Sequence, residues 1–404
     1  MDQDNKAVTR RDFLTGVAGV GTLAAVGETL AQAAAPEAPP GTISNEAVKA
    51  DKVPAMEWHS ERPLTGSVPA HEHDFDLTPN HRMFVRNNLL TPLIDFNAHR
   101  LTLKGLVDKE LSFSVFDLAK QFRTVSIQGM LECAGSGRSA YQPRASGTPW
   151  LPTGGMGCPE WGGVRLTDVL KAAGLKPNAA HVAGEGGDPG MVANAAPVIR
   201  SIPIKKALDE DTLIAWAMNG GPLPFVHGYP LRLVVPGWVG SASTKWLHTL
   251  TVLGAPFKGT YMDSSYRVPK VPVEPGQKMP ADSVSAEAWP IKSMITFPVP
   301  NATYQAGATI TVRGKAWVGE GSVDRVEVSA DEGKSWRPAQ LARATGRYAW
   351  RSFAVEFKPA GPGYVTFLAR AWDDRGNAQP AQPNWNPLGY FWNAWHRVGV
   401  VVEA

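Results

Sequence analysis

Cysteine is scarce. The 404-residue chain has two, Cys133 and Cys158, too few for a disulfide framework, and the absence of any C-x-x-C-H excludes a covalently attached c-type haem. No long Lys/Arg block occurs and the net charge is only +3, so the chain lacks the basic footprint of a nucleic-acid-binding protein. No apolar run reaches the roughly 20 residues of a membrane span. The best, 13–26, covers about 14 of those and is followed by Glu28. What remains, 43% hydrophobic and 19% charged residues, is ordinary globular composition in a chain long enough for two domains plus a leader.

The leader is 1–33. T-R-R-D-F-L at 9–14 matches a twin-arginine export signal, an apolar segment follows, and Ala31 and Ala33 offer a cleavage site. The expected destination is the periplasm, reached already folded. Residues 34–77 are rich in Pro and Ala toward their start and read as an extended N-terminal arm. Within it His71-Glu72-His73 has no further ligands nearby and reads as solvated surface.

From 78 to 266 helical and strand periods mix. The stretch 101–107 alternates as a strand, 113–122 reads as a short helix, and 231–235 suits a buried strand. Leu166, Val169, Leu170 and Ala173 share one helical face, with Gly174 at the C-cap position. Residues 267–282, with Pro269, Pro272, Pro275 and Pro280, read as an interdomain linker. Beyond it, from 283 to 404, the period is two, with alternating runs at 309–313, 323–329, 348–357 and 364–372 and turns at 331–333 and 361–363. The expected fold class is α+β for 78–266, followed by an all-β immunoglobulin-like sandwich.

The chain is organised around 126–138, S-I-Q-G-M-L-E-C-A-G-S-G-R. An apolar run delivers Cys133 to a turn of small residues where a ligand can approach closely, and Arg138 follows five positions later. Positive charge nearby favours thiolate, the form that attacks electrophiles and ligates soft metals. An isolated Cys is ordinarily a small buried hydrophobe; these surroundings turn it toward chemistry without naming which.

L-E-C-A-G-S-G-R-S resembles the molybdenum-binding segment of the sulfite oxidase family. F-V-R-N-N at 84–88, W-G-G-V-R-L at 161–166, H-G-Y-P-L-R-L-V-V-P-G at 227–237, S-T-K-W at 243–246 and W-N-A-W-H-R-V at 392–398 follow in the family's order. V-E-V-S-A-D-E-G-K-S-W at 326–336 is similar to its dimerisation domain. The resemblance implies one molybdenum–molybdopterin cofactor per chain, no haem in this chain, and Cys133 as the protein's metal ligand. It implies cofactor contacts from Phe84, Val85, Arg86, Asn87, Asn88, Asp188, His227, Arg232, Ser243, Thr244 and Lys245, with Asn88 standing where the family often has His. Arg86, Arg138 and Tyr266 are implied around the substrate, where a guanidinium fork suits an oxyanion.

One departure matters. Animal and plant relatives carry an arginine in W-N-L-R-G, whereas this chain has W-N-P-L-G at 385–389. Leu388 cannot bind an anion, and Arg144 is the candidate replacement. The implied activity is oxidation of sulfite to sulfate by oxygen-atom transfer, with electrons passed singly to a separate c-type cytochrome. A homodimer is implied by the sandwich domain. The rivals are the molybdenum subunit of a sulfane dehydrogenase acting on carrier-bound sulfur, a reductase of oxo substrates, and a cofactor-free binding module.

Overall fold

A computed structural model describes residues 39–404. The leader expected at 1–33 lies outside these residues. The stretch read as an extended arm is built into the fold. Ser44 caps the helix Asn45–Ala50 by accepting from the Ala47 N–H, and strands Glu57–Glu61 and Leu64–Ser67 form a hairpin that pairs onward with Val85–Arg86. The correction has a simple cause. The prolines fall at turns, and Ile43, Val48, Leu64 and Val85 bury one another in a small core of their own.

In the first domain the strand Leu247–Leu253 lies parallel to Leu101–Gly105 and antiparallel to His181–Gly186. A second sheet joins Thr124–Gln128, Glu160–Arg165 and Leu213–Met218, the last of which also pairs with Arg232–Val234. Helices Val115–Gln121 and Leu166–Ala173 pack on the core between them. The first has a capping box of Ser114 and Asp117. The second ends at Gly174, whose φ of +72 suits glycine.

The C-terminal domain is a sandwich. One sheet runs Lys292–Phe297, Ile310–Trp317, Arg351–Phe357, Gln340–Leu341; the other runs Thr303–Gln305, His396–Glu403, Gly363–Asp373, Val323–Ser329, Arg337–Pro338. Their inner faces meet through Val312, Val326, Phe353, Phe367, Ala369 and Val400. The expected linker is pinned at both ends, since Arg267–Pro269 pairs with Ser283–Ser285 and the prolines occupy the loop between.

Two interdomain contacts matter for the site. Residues 70–76 reach the sandwich, where Asp74 pairs with Arg313 and accepts from Thr296, and Asp76 accepts from Lys315 and Ser352. His73, expected on the surface, is buried there, edge-on to Trp350. Burial holds its pKa down to about 4, so it sits neutral among apolar rings rather than in water. From the other side, the segment before His396–Glu403 folds back over the Cys133 turn. Gly137, at φ +88, leaves no room for a Cβ beneath Trp392. Among the described residues no helix is long and apolar enough to cross a membrane.

Candidate active site

The short strand Leu131–Glu132 pairs with Met156–Gly157 and then delivers Cys133, whose N–H donates to the Gly155 carbonyl at 2.8 Å. The thiol is buried at 7% exposure, yet it lines a cavity. Phe84, Arg86, Asn88, Asp188, His227, Arg232, Ser243, Thr244, Lys245 and Tyr266 line the same cavity. Segments more than 180 positions apart in sequence thus converge as the family resemblance implied.

Four predicted residues stand differently. Val85 lies in the small N-terminal core, and Asn87 is behind the wall, donating to Thr91 and accepting from Lys245. Arg138 is not on the wall. Its Nε donates to Leu388 O at 2.8 Å and one terminal nitrogen donates to Thr148 O at 3.2 Å, while its guanidinium sits over the Tyr390 ring. Arg144 is exposed on the loop beyond and does not replace the missing arginine. The physical reason lies in the returning C-terminal segment, whose Leu388 carbonyl occupies Arg138 and whose Leu388 and Tyr390 pack with Ala134 and Tyr266.

One end of the cavity is basic. Arg232, 2% exposed, donates to the carbonyls of His227 and Ser243, and its Nε has no partner. Lys245 donates to the Val226 carbonyl at 2.9 Å and to Asn87. Lys52, from just after the first helix, places its Nζ 2.7 Å from His227 Nε2. Burial, joined by the neighbouring cations, holds His227 well below the usual histidine range. Burial and then Arg232 do the same to Lys245, while burial brings Arg232 down to about 9 and Lys52 to about 7. Asp188 is the nearby carboxylate, pushed up to about 6 by burial despite the pull of Lys245. None of Lys52, Arg232 and Lys245 makes an ion pair with a carboxylate among the described residues. Cations crowded without counter-charge call for an anion.

The other end is aromatic. Tyr266, at φ +54, stacks on Tyr390 with centroids 5.6 Å apart and planes 8° from parallel; the Arg200 guanidinium lies 4.8 Å from its ring. The Tyr266 hydroxyl donates to Asn88 Oδ1 at 3.4 Å. Trp246 is likewise strained at φ +51, anchored by its indole N–H to Phe225 O. Lys52, Arg200 and Tyr390 were beyond sequence reasoning, since nothing in their local pattern marks them, whereas Trp246 closes the S-T-K-W motif. Arg200, for one, reads only as a polar residue in a strand.

The residues fit a metal-bearing phosphorylated cofactor. A cavity thiol provides the soft ligand. In the same cavity, the cation cluster and the buried, partnerless Arg232 Nε and Ser241 Oγ provide donors for a phosphate. Among the described residues no three His, Cys, Asp or Glu side chains converge as a metal site, so a metal here would rely on Cys133 and on ligands brought by the cofactor.

Comparison with known proteins defines the class first. The model of the oxidoreductase molybdopterin binding domain matches residues 88–261, and that of the Mo-co oxidoreductase dimerisation domain matches 284–403. The chain is 36% identical over 370 residues to mitochondrial sulfite oxidase of Homo sapiens, covering 87% of this chain and 66% of that protein. It is 34% identical over 363 residues to sulfite oxidase of Gallus gallus, covering 85% and 77%. The crystal structure of the sulfane dehydrogenase SoxCD from Paracoccus pantotrophus is similar with a TM-score of 0.74 at 28% identity, covering 90% of this chain and 92% of that one. The chain belongs to the sulfite oxidase family of molybdopterin oxidoreductases. It spans 66% of the length of the mammalian relatives it matches.

Proposed function

We propose that the protein is a periplasmic molybdenum-dependent sulfite dehydrogenase that oxidises sulfite to sulfate and passes electrons singly to a separate c-type cytochrome. The observation that carries this reading is one cavity lined both by a thiol and by cations that make no ion pair. The molybdenum–molybdopterin group, when bound, supplies two-electron oxygen-atom transfer.

The chain's own residues supply binding and orientation. Cys133 would hold the metal. His227, Arg232, Lys245, Ser243 and Thr244 would hold the cofactor's phosphate by charge-assisted donors, and Asp188 would accept from the pterin. Phe84 and Asn88 would line the cofactor from the opposite wall. Arg86 lines the same cavity, and with the Tyr266 hydroxyl it would orient an oxyanion. Arg138 would act behind them, bracing Tyr390 and so the stacked Tyr266. The twin-arginine leader supports a periplasmic location, and the match to a dimerisation domain supports a homodimer.

A second reading has its own support. With Leu388 where animal and plant relatives carry an arginine and Arg138 held by carbonyls, the substrate side is short of cations, and the fold is similar over nine tenths of the chain to a sulfane dehydrogenase. Molybdenum analysis of the exported protein, with sulfite-dependent reduction of ferricyanide and cytochrome c and Cys133→Ser as control, separates the two. About one metal per chain with activity on free sulfite, both lost in the control, is expected from Cys133 as sole protein ligand. Metal without turnover of free sulfite would favour carrier-bound sulfur; no metal at all would defeat both.

A further inference from the structure

Lys52 belongs to the N-terminal segment, outside the matched cofactor-binding domain at 88–261, yet it reaches the basic end of the cavity. Its Nζ lies 2.8 Å from Asn80 O, 3.1 Å from Met83 O and 2.7 Å from His227 Nε2. An ammonium has three protons and no lone pair. Two protons go to carbonyls, which can only accept. The third must go to His227 Nε2, which accepts only if it carries no proton, and a neutral imidazole must then carry its proton on Nδ1. His227 lines the cavity, and its Nε2 is committed to Lys52. That leaves Nδ1–H as the ring donor available to a ligand.

We propose that Lys52 is a positioning residue for the phosphate end of the cavity: its ammonium fixes His227 in the Nδ1–H tautomer and so presents a neutral N–H donor to an anionic phosphate. The inference rests on the proposed reading of the cavity as a phosphorylated-cofactor site. Its logic is that of an outer group orienting a ligand-binding imidazole. The buried environment supports it from two sides. His227 is kept neutral by burial and by Lys52, Lys245 and Arg232, so tautomer choice, not ring charge, decides what it offers. Without an anion the desolvated Lys52 sits near the point of losing its proton, and a nearby phosphate would hold the proton on, strengthening the arrangement it benefits from.

The test is nitrogen NMR of the exported protein labelled with 15N-histidine, alongside the rate at which pterin and molybdenum dissociate after dilution. The chain has nine histidines, so the His227 signals are assigned by their loss in His227→Gln. The wild type is expected to show a protonated Nδ1 and a bare Nε2. In Lys52→Met the two nitrogens should average toward a mixture, with cofactor release about tenfold faster, the effect of losing one such polar interaction. Lys52→Arg should restore part of the release rate. A wild-type spectrum with the proton on Nε2 would overturn the proposal without any variant, which covers a Lys52→Met that fails to fold. So would an unchanged spectrum and release rate in a folded Lys52→Met. A protein that never contains pterin, yet whose His227 tautomer depends on Lys52, would overturn the cofactor reading and leave the Lys52–His227 coupling standing.

Discussion

The interface between the domains and the basic end of the cavity treat buried lysine in opposite ways. At the interface Lys292, 2% exposed, meets Glu132 Oε1 at 2.7 Å, and the other carboxylate oxygen accepts from Trp317 Nε1 at 2.8 Å. Both charges of that pair are answered within the fold. At the cavity Lys245 and Lys52 meet only carbonyls, an amide oxygen and an imidazole. The first arrangement is self-sufficient and acts as structure. The second is incomplete without an anion and is tuned to a ligand. Both lie close to Cys133: Glu132 is its chain neighbour, and Lys245 shares its cavity.

The largest expected effect tests the structural side. Lys292→Met strands Glu132 at 1% exposure and should cost about 3–5 kcal/mol of stability. Denaturant unfolding measures it, and adding Glu132→Leu should recover most of the loss, since no unanswered charge then remains. If the single variant were as stable as the wild type, the pair would not act as structure.

Lys245→Met should invert that pattern. In cofactor-free protein it removes a crowded cation, so stability should hold or rise slightly. Cofactor release should accelerate by about 100-fold, as expected for losing a charge-assisted contact worth about 2–3 kcal/mol. A stability loss like that of Lys292→Met would erase the distinction between the two lysines.

A smaller change is expected at the aromatic end. Tyr266→Phe keeps the stack on Tyr390 and loses only the hydroxyl that reaches Asn88. Turnover should fall by about tenfold with unchanged molybdenum content and unfolding midpoint. An unchanged turnover would remove Tyr266 from the substrate site.

The smallest effect is in pH dependence of the cofactor-free protein. Lys52 is held at about 7, below its ordinary 10.5. Between those values the unfolded chain binds a proton that the folded chain does not, so stability should fall as pH drops through that window. Asp188, raised from 3.8 to about 6, contributes a loss of stability as pH rises from about 4 to about 6, opposed in the same window by His73 and His396, whose pKa values burial holds down to about 4. Urea unfolding across pH of the wild type against Lys52→Met and Asp188→Asn checks both: Lys52→Met should reduce the upper slope, to which the depressed Lys245, Lys206 and Lys292 also contribute, and Asp188→Asn should change the lower one.

Much of the fold is legible in the residues because its signals are local. The 3.6 period and Gly174 mark Leu166–Ala173, and the period of two marks Val323–Ser329 and Gly363–Asp373. Cys133 is legible because its small-residue turn is contiguous, and the family resemblance carries Arg86, His227, Arg232, Lys245 and Tyr266 to one wall. The N-terminal helix and hairpin were not legible, because a Pro- and Ala-rich composition hides Ile43, Val48 and Leu64, which meet Val85 and Val226 only in three dimensions.

The sequence by itself determined the domain order and the small-residue turn that presents Cys133, since these follow from periodicity and turn chemistry, while the family resemblance implied the types of side chain that surround the thiol. Only the tertiary structure decided which cations face the cavity and which are consumed elsewhere. Arg138 is spent on the carbonyls of Thr148 and of Leu388, the latter 250 residues away, and Lys52 arrives at His227 from 175 residues away. The reason is that a charged side chain's role depends on which acceptors reach it first, and those acceptors are brought by distant segments whose approach no local pattern encodes.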